Sequence, residues 1–256
     1  MALLKSNQVT KYFGGVCAVD HLELTVNEGE VFSLIGPNGS GKTTFTNLAS
    51  GMLRPTSGTV EFDGKVITGL RPDAITRLGL CRTFQNLRIF PNLTVLQHVT
   101  LGNFCRTKTG LLQNIFRSKQ VREEEAQVRE RAEKWLDFVG LLDKKDWPAS
   151  SLAYGQQRLL EIARALATEP KLLFLDEPAA GMTMQESLEL VDLIRAIRDH
   201  GITVFLIDHK MRLVMTAATR IAVLNFGRKI AEGTPEEVQN NPAVIEAYLG
   251  KGRRTA

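Results

Sequence analysis

Residues Gly36-Pro37-Asn38-Gly39-Ser40-Gly41-Lys42-Thr43-Thr44 satisfy the spacing G-x-x-x-x-G-K-[ST], directly after the apolar run EVFSLIG and before the helix-like FTNLAS. Glycines at this spacing let the backbone turn tightly, so that successive N–H groups converge on phosphate oxygens. The following helix aims the positive end of its dipole at the same anion. In such a loop Lys42 should bridge the β- and γ-phosphates, and the Thr43 hydroxyl should ligate Mg²⁺. All nine residues, Gly36, Pro37, Asn38, Gly39, Ser40, Gly41, Lys42, Thr43 and Thr44, are therefore candidates for binding a nucleotide.

A second group lies at the end of another apolar run, LLFLDEP, which closes on the acidic pair Asp176 and Glu177. A carboxylate at a strand end beside a phosphate loop is suited to hold Mg²⁺, in this chain Asp176 acting through a water. Glu177 is then left to polarise the attacking water as general base.

The elements that must carry these groups follow from composition and pattern. The chain has 256 residues, 43% hydrophobic and 23% charged, enough for a sizeable core and unlike a disordered chain. A net charge of +4 is too mild to indicate nucleic acid, and no nucleic-acid partner is expected. No uncharged apolar run approaches the ~18 residues that cross a bilayer, and the start MALLKSNQVTK does not read as a signal peptide. Cys17, Cys81 and Cys105 are scattered without metal or disulfide spacing, and His21, His98 and His200 read as structural. These features place the chain in the cytosol.

The first eighty-odd residues read as strands and turns: LELTV, EVFSLIG and GTVEFDGKVI. From Pro91 to about Leu166 helical periodicity takes over, with Val128, Ala132, Trp135, Leu136 and Val139 on one face and Glu123-Glu124-Glu125 as a solvated start. LLFLDEP and ITVFLIDH, apolar at nearly every position, suit parallel strands covered on both faces, joined by the helix QESLELVDLIRAIRDHG. Thr234-Pro235-Glu236-Glu237 fits a capping box, and a last helix follows Asn241-Pro242. The segment 104–120, basic with an apolar side, is read as an ordinary packed helix under a basic loop, the alternative being a short amphipathic helix near the membrane surface or permease.

Twenty residues before the acidic pair stands Leu152-Ala153-Tyr154-Gly155-Gln156-Gln157-Arg158. The order of phosphate loop, Gln85 in CRTFQN, this element, Leu-Asp-Glu and a strand ending in His209 resembles the ABC-type ATPase subunit of a membrane transporter, over essentially the whole chain. The resemblance implies an α/β fold: a three-layer P-loop NTPase core of the ABC type with an antiparallel β portion at the N-terminus and an inserted α-helical subdomain. Residues 1–86 and 165–256 would form the core and 87–164 the helical subdomain. It implies ATP and Mg²⁺ as ligands, with Phe13 stacking on adenine and Tyr12 as the second choice. Gln85 would reach Mg²⁺ and the attacking water, and His209 the γ-phosphate. Leu152, Ala153, Tyr154, Gly155 and Gln156 match the signature that caps ATP held by an opposite, head-to-tail ATPase subunit. The catalytic set is then Glu177, His209 and Gln85, and the Mg²⁺ set Thr43, Gln85 and Asp176.

Three positions depart from the common pattern: Ala153 stands where the family has Ser, Tyr154 where it has Gly, and Thr183 where it generally has Asp. Loss of a side-chain N-cap at Ala153 would cost about 1 kcal/mol unless Ser150 or Ser151 substitutes. With LAYGQQR, PAAGM, LIDHKMRLVM and the ending NNPAVIEAYLG, the departures resemble the ATPase subunits of branched-chain amino-acid importers. Importers of urea and short amides share much of this pattern, and lipopolysaccharide exporters and ABC ATPases of DNA repair or translation share less. Implied partners are the permease subunits, reached through the stretch LRIFPNLTV, a paralogous second ATPase and, indirectly, a solute-binding protein. The implied place is the cytoplasmic face of the inner membrane.

Overall fold

The computed structural model describes residues 1–83, 89–103 and 119–249. Gln85, the segment 104–118 and the last seven residues lie outside the described residues. A six-stranded sheet in the order β10-β9-β3-β8-β7-β6 runs through the middle of the molecule. Its strands are β3 (Val31–Ile35), β6 (Leu80–Arg82), β7 (Leu172–Asp176), β8 (Thr203–Ile207), β9 (Arg220–Asn225) and β10 (Arg228–Gly233). All pairings are parallel except that of β9 with β10. Every residue of β3, β7 and β8 is buried, as the unbroken apolar runs predict for strands covered on both faces.

Strand alternation divides those side chains between two cores. Phe32, Leu34, Phe174, Phe205 and Ile207 point to one face. There they meet α1 (Lys42–Ala49) and a four-stranded antiparallel sheet in the order β2-β1-β4-β5. That sheet comprises β1 (Ala2–Phe13), β2 (Val16–Asn27), β4 (Ser57–Phe62) and β5 (Lys65–Val66), with α2 (Pro72–Leu78) after it. Val31, Ile35, Leu173, Leu175, Val204 and Leu206 point to the other face, against the helices. These are α3 (Val95–Gly102), α4 (Lys119–Phe138), α5 (Tyr154–Leu166), α6 (Met184–Asp199), α7 (Met211–Ala217), α8 (Pro235–Gln239) and α9 (Pro242–Leu249). The three layers expected from the sequence are present, and the helical stretch α3 to α5 is inserted between β6 and β7.

Local signals hold where their chemistry is specific. Thr234 caps α8 through the Glu237 N–H with Pro235 in the first turn, and His200 caps α6 with Gly201 at φ 90°. Ala132 and Leu136 of α4 are buried, as is Val139 just after it. Two elements carry weaker patterns. β1 carries polar residues at half its positions and is held by pairing on both edges. α2 is one short helix begun by Pro72 and ended by Gly79 at φ 109°.

Phe205 is fully buried at the hub of one core, stacked on Phe174 at 4.5 Å and near Phe32 and Phe45 at 5.4 and 6.0 Å. Phe205→Ala is expected to cost about 3–5 kcal/mol, read as a lowered urea-unfolding midpoint. A loss under about 1 kcal/mol would contradict this packing.

Candidate functional site

The phosphate loop is gripped from three sides. β3 ends at Ile35 and the chain enters Gly36 at φ 150°, where a Cβ would lie 2.1 Å from the Leu224 carbonyl oxygen of β9. Gly41 caps α1 at φ 106°, and a Cβ there would lie 2.5 Å from the Ala18 carbonyl oxygen of β2. Only glycine meets both demands. The β9–β10 turn closes the third side: Gly227 N–H donates to the Ser40 carbonyl at 3.0 Å, and the Gly227 carbonyl accepts from Asp20 N–H at 2.9 Å. A cavity of about 560 Å³ opens beside the loop, bounded by Pro37, Asn38, Gly39, Ser40, Phe226 and Ala247.

Lys42 points into the loop and donates to the Gly36 carbonyl (2.7 Å), the Pro37 carbonyl (2.9 Å) and Ser40 Oγ (3.4 Å). Burial lowers its pKa, opposed by the negative charges of Glu177 and Asp176, so all three groups share one field. Thr43 is exposed on the first turn of α1 and Thr44 half-buried behind it. Phe13, about half exposed, ends β1 opposite Val16, on the hairpin whose second strand supplies Ala18 to the loop. Tyr12 is equally exposed and pairs with Cys17.

Asp176 and Glu177 sit where β7 ends between β6 and β8. The Asp176 carboxylate is almost fully buried, and its Oδ2 accepts from Arg82 Nη2 at 2.7 Å. Arg82 Nη1 also donates to Asn47 Oδ1 and Ser50 Oγ of α1 at 2.7 and 3.1 Å. This arginine ties the strand of the carboxylate to the helix of the phosphate loop. The oxygen donors Thr43 and Asp176 suit a hard cation such as Mg²⁺.

Glu177 is held at φ 49°, its N–H donating to the Ile207 carbonyl at 2.7 Å, which turns the chain away from the sheet. His209 follows β8, and its Nδ1 lies 3.9 Å from Glu177 Oε1 and from Asp208 Oδ1. Asp208 is buried and accepts from Ala179 N–H (3.2 Å) and Lys210 N–H (2.8 Å). The fold thus brings Lys42, Asp176, Glu177 and His209 together. Arg82 and Asp208 were not singled out in the sequence; a charged residue at the end of each short buried strand was their only signal.

Leu152, Ala153, Tyr154, Gly155 and Gln156 open α5. Leu152 and Gly155 are buried, Ala153 and Tyr154 exposed and Gln156 half-buried. Neither candidate serine caps the helix, since Ser150 Oγ donates to the Pro91 carbonyl and Ser151 Oγ to the Pro148 carbonyl. Gln156 reaches back instead to accept from Ala153 N–H at 3.3 Å. Thr183 caps α6, its Oγ1 accepting from Glu186 N–H.

A family profile described as ABC transporter matches residues 19–180, and one described as branched-chain amino acid ATP-binding cassette transporter matches residues 228–253. The chain is 44% identical to the high-affinity branched-chain amino acid transport ATP-binding protein LivG of Salmonella typhimurium, over 97% of this chain and 98% of that protein. Among solved structures, it resembles the ADP conformation of an ATP-binding cassette of an ABC transporter, with a TM-score of 0.85 and 35% identity over 98% of this chain and all of that one. It also resembles the dimeric post-hydrolysis state of a cassette bound to ADP and Pi, at a TM-score of 0.76 and 27% identity over 91% of this chain and 99% of that one.

Gly36→Ala should drive the loop off the Leu224 carbonyl and raise the nucleotide Kd about 5- to 150-fold, the equivalent of the ~1–3 kcal/mol of a strained backbone site. Equilibrium dialysis with ATP checks this, and unchanged affinity would contradict the loop geometry.

Proposed function

The chain belongs to the ABC transporter family, as one of its ATP-binding, ATP-hydrolysing subunits, and from this premise we propose that it powers the import of branched-chain amino acids. The observation that carries the reading is the match at residues 228–253, because the phosphate loop and the acidic pair are common to ATPases of many cargoes, whereas this C-terminal stretch matches a profile named for one. The near end-to-end likeness to LivG supports it further.

In this reading the N–H groups of residues 36–44 and the Lys42 ammonium hold the triphosphate, and Phe13 stacks on adenine. Thr43 and Asp176, with Gln85, would hold Mg²⁺, which would supply positive charge to offset that of the triphosphate. Arg82 keeps one Asp176 oxygen fixed at 2.7 Å. Glu177 accepts the proton of the attacking water, and His209, 3.9 Å from that carboxylate, orients it and contacts the γ-phosphate. Residues Leu152 to Gln156 face the nucleotide of a second, paralogous ATPase subunit, so that each site needs both chains. Since a ligand shifts an equilibrium only by its differential affinity, the γ-phosphate bridging two subunits is what favours their closed state. Closure and opening pass to the permease through the stretch that follows Gln85, at the cytoplasmic face of the membrane. No helix among the described residues is long and apolar enough to cross a membrane, and a solute-binding protein completes the importer. Residues 1–86 and 165–256 act as the nucleotide core and 87–164 as the moving helical part.

Glu177→Gln should bind ATP as the wild type does and lose on the order of 10²–10⁴-fold in turnover; retained hydrolysis would contradict the assigned base. Cells lacking the chain should lose uptake of radiolabelled leucine, isoleucine and valine but not of urea. The converse result would reassign the cargo.

A further inference from the structure

Two of the departures from the common family pattern, Tyr154 and Thr183, take part in adjoining contacts between the start of α5 and the segment that leads into α6. Tyr154 opens α5 with its ring lying on Gly181: a Cβ on that glycine would sit 2.6 Å from Tyr154 Cε1 and 3.1 Å from Cδ1. Gly181 has φ 74°, a conformation that L side chains rarely adopt. On its other side the phenol oxygen accepts from Arg158 Nη2 at 3.1 Å, and that buried arginine pairs with Glu161 at 3.2 Å. One residue on, a Cβ on Gly155 would lie 2.5 Å from Glu186 Oε1. Glu186 is fixed there by Thr183, whose N–H and hydroxyl both donate to Oε2 at 2.8 and 2.9 Å.

The segment between Glu177 and Thr183 is short and bound at several points. Ala180 N–H donates to the Glu177 carbonyl and Met182 N–H to the Ala179 carbonyl. Ala179 N–H is held by Asp208, the neighbour of His209, and the Met182 carbonyl by Lys210 Nζ at 2.9 Å. A displacement at Glu177 or His209 therefore reaches Gly181 through tight turns rather than through a slack loop. With a ring seated on bare backbone, the start of α5 must follow.

We propose that the seat of Tyr154 on Gly181 is a positioning contact by which a chain's own nucleotide site sets the orientation of its own 152–156 stretch. In the dimeric reading above, on which the functional meaning rests, that stretch faces the partner's nucleotide. The contact then links the two sites within one chain; a glycine at position 154 would have no side chain to reach Gly181. Coupling of this kind is typically 5- to 150-fold in an equilibrium constant.

Hydrogen exchange on the full chain tests it, at a concentration where light scattering shows a monomer, so that any response travels within one chain. Magnesium with the non-hydrolysable analogue AMPPNP should slow exchange in residues 36–45 of the wild type, and in residues 152–160 by about fivefold or more. Tyr154→Phe, which keeps the ring, should respond alike. Tyr154→Ala should keep the response at 36–45 within about twofold and lose that at 152–160. Gly181→Ala, which displaces the ring, should lose it too and decides the matter if Tyr154→Ala melts below the assay temperature. A wild type responding at 36–45 alone, or alanine variants still responding at 152–160, would overturn the proposal. Absence of protection at 36–45 in the wild type would instead strike the phosphate-loop assignment. Failure of ATP to bring the Glu177→Gln chain together with the paralogous ATPase subunit, with the response inside one chain intact, would strike only the dimeric reading.

Discussion

The constraint on which the rest depends is the absence of room for a side chain at the two ends of the phosphate loop. Gly36 lies against the Leu224 carbonyl and Gly41 against the Ala18 carbonyl, so the loop is wedged between a strand of the central sheet and a strand of the antiparallel one. A cradle of backbone N–H groups binds an anion well only if it is already in place, because any reordering would be subtracted from the binding energy. The fold supplies that rigidity by pressing two strands on the loop and hooking the β9–β10 turn to Ser40. The N-terminal antiparallel sheet thus has two tasks: it supplies Ala18 to the loop and carries Phe13 to its side.

The acidic side is held by a separate network. Arg82 anchors Asp176 to α1, while Asp208 anchors the turn after Glu177 to the loop that carries His209. Both anchors are buried, where charged hydrogen bonds are strong and an unpaired carboxylate would be costly. In the proposed reading the acidic groups stand at strand ends, and Arg82 and Asp208 serve to fix their surroundings.

Much of this was legible in the sequence. The loop was, because its glycines and lysine answer to one geometric demand. So were the buried parallel strands, because both faces being covered leaves few polar positions. β1 was obscured by its many polar residues, since its pairing is specified by partners far along the chain. Arg82 and Asp208 were obscured for a related reason: a charged residue in a short strand reads as an edge or a turn until the partner across the sheet is known. The serines before α5 were read as possible caps, but the helix start is served by Gln156 instead. Tyr154 and Thr183 read as losses in the sequence; in three dimensions one is a ring seat and the other a helix cap.

The central claim is that residues 36–44 hold a triphosphate whose exposed end is completed by residues 152–156 of a facing subunit. It is tested most directly by determining the structure of the assembled transporter carrying Glu177→Gln with magnesium and ATP. The account predicts a nucleotide in each loop and this chain's 152–156 stretch within hydrogen-bond reach of the γ-phosphate held by the neighbouring ATPase. A triphosphate bound elsewhere, or one whose γ-phosphate meets only the chain that holds it, would contradict it.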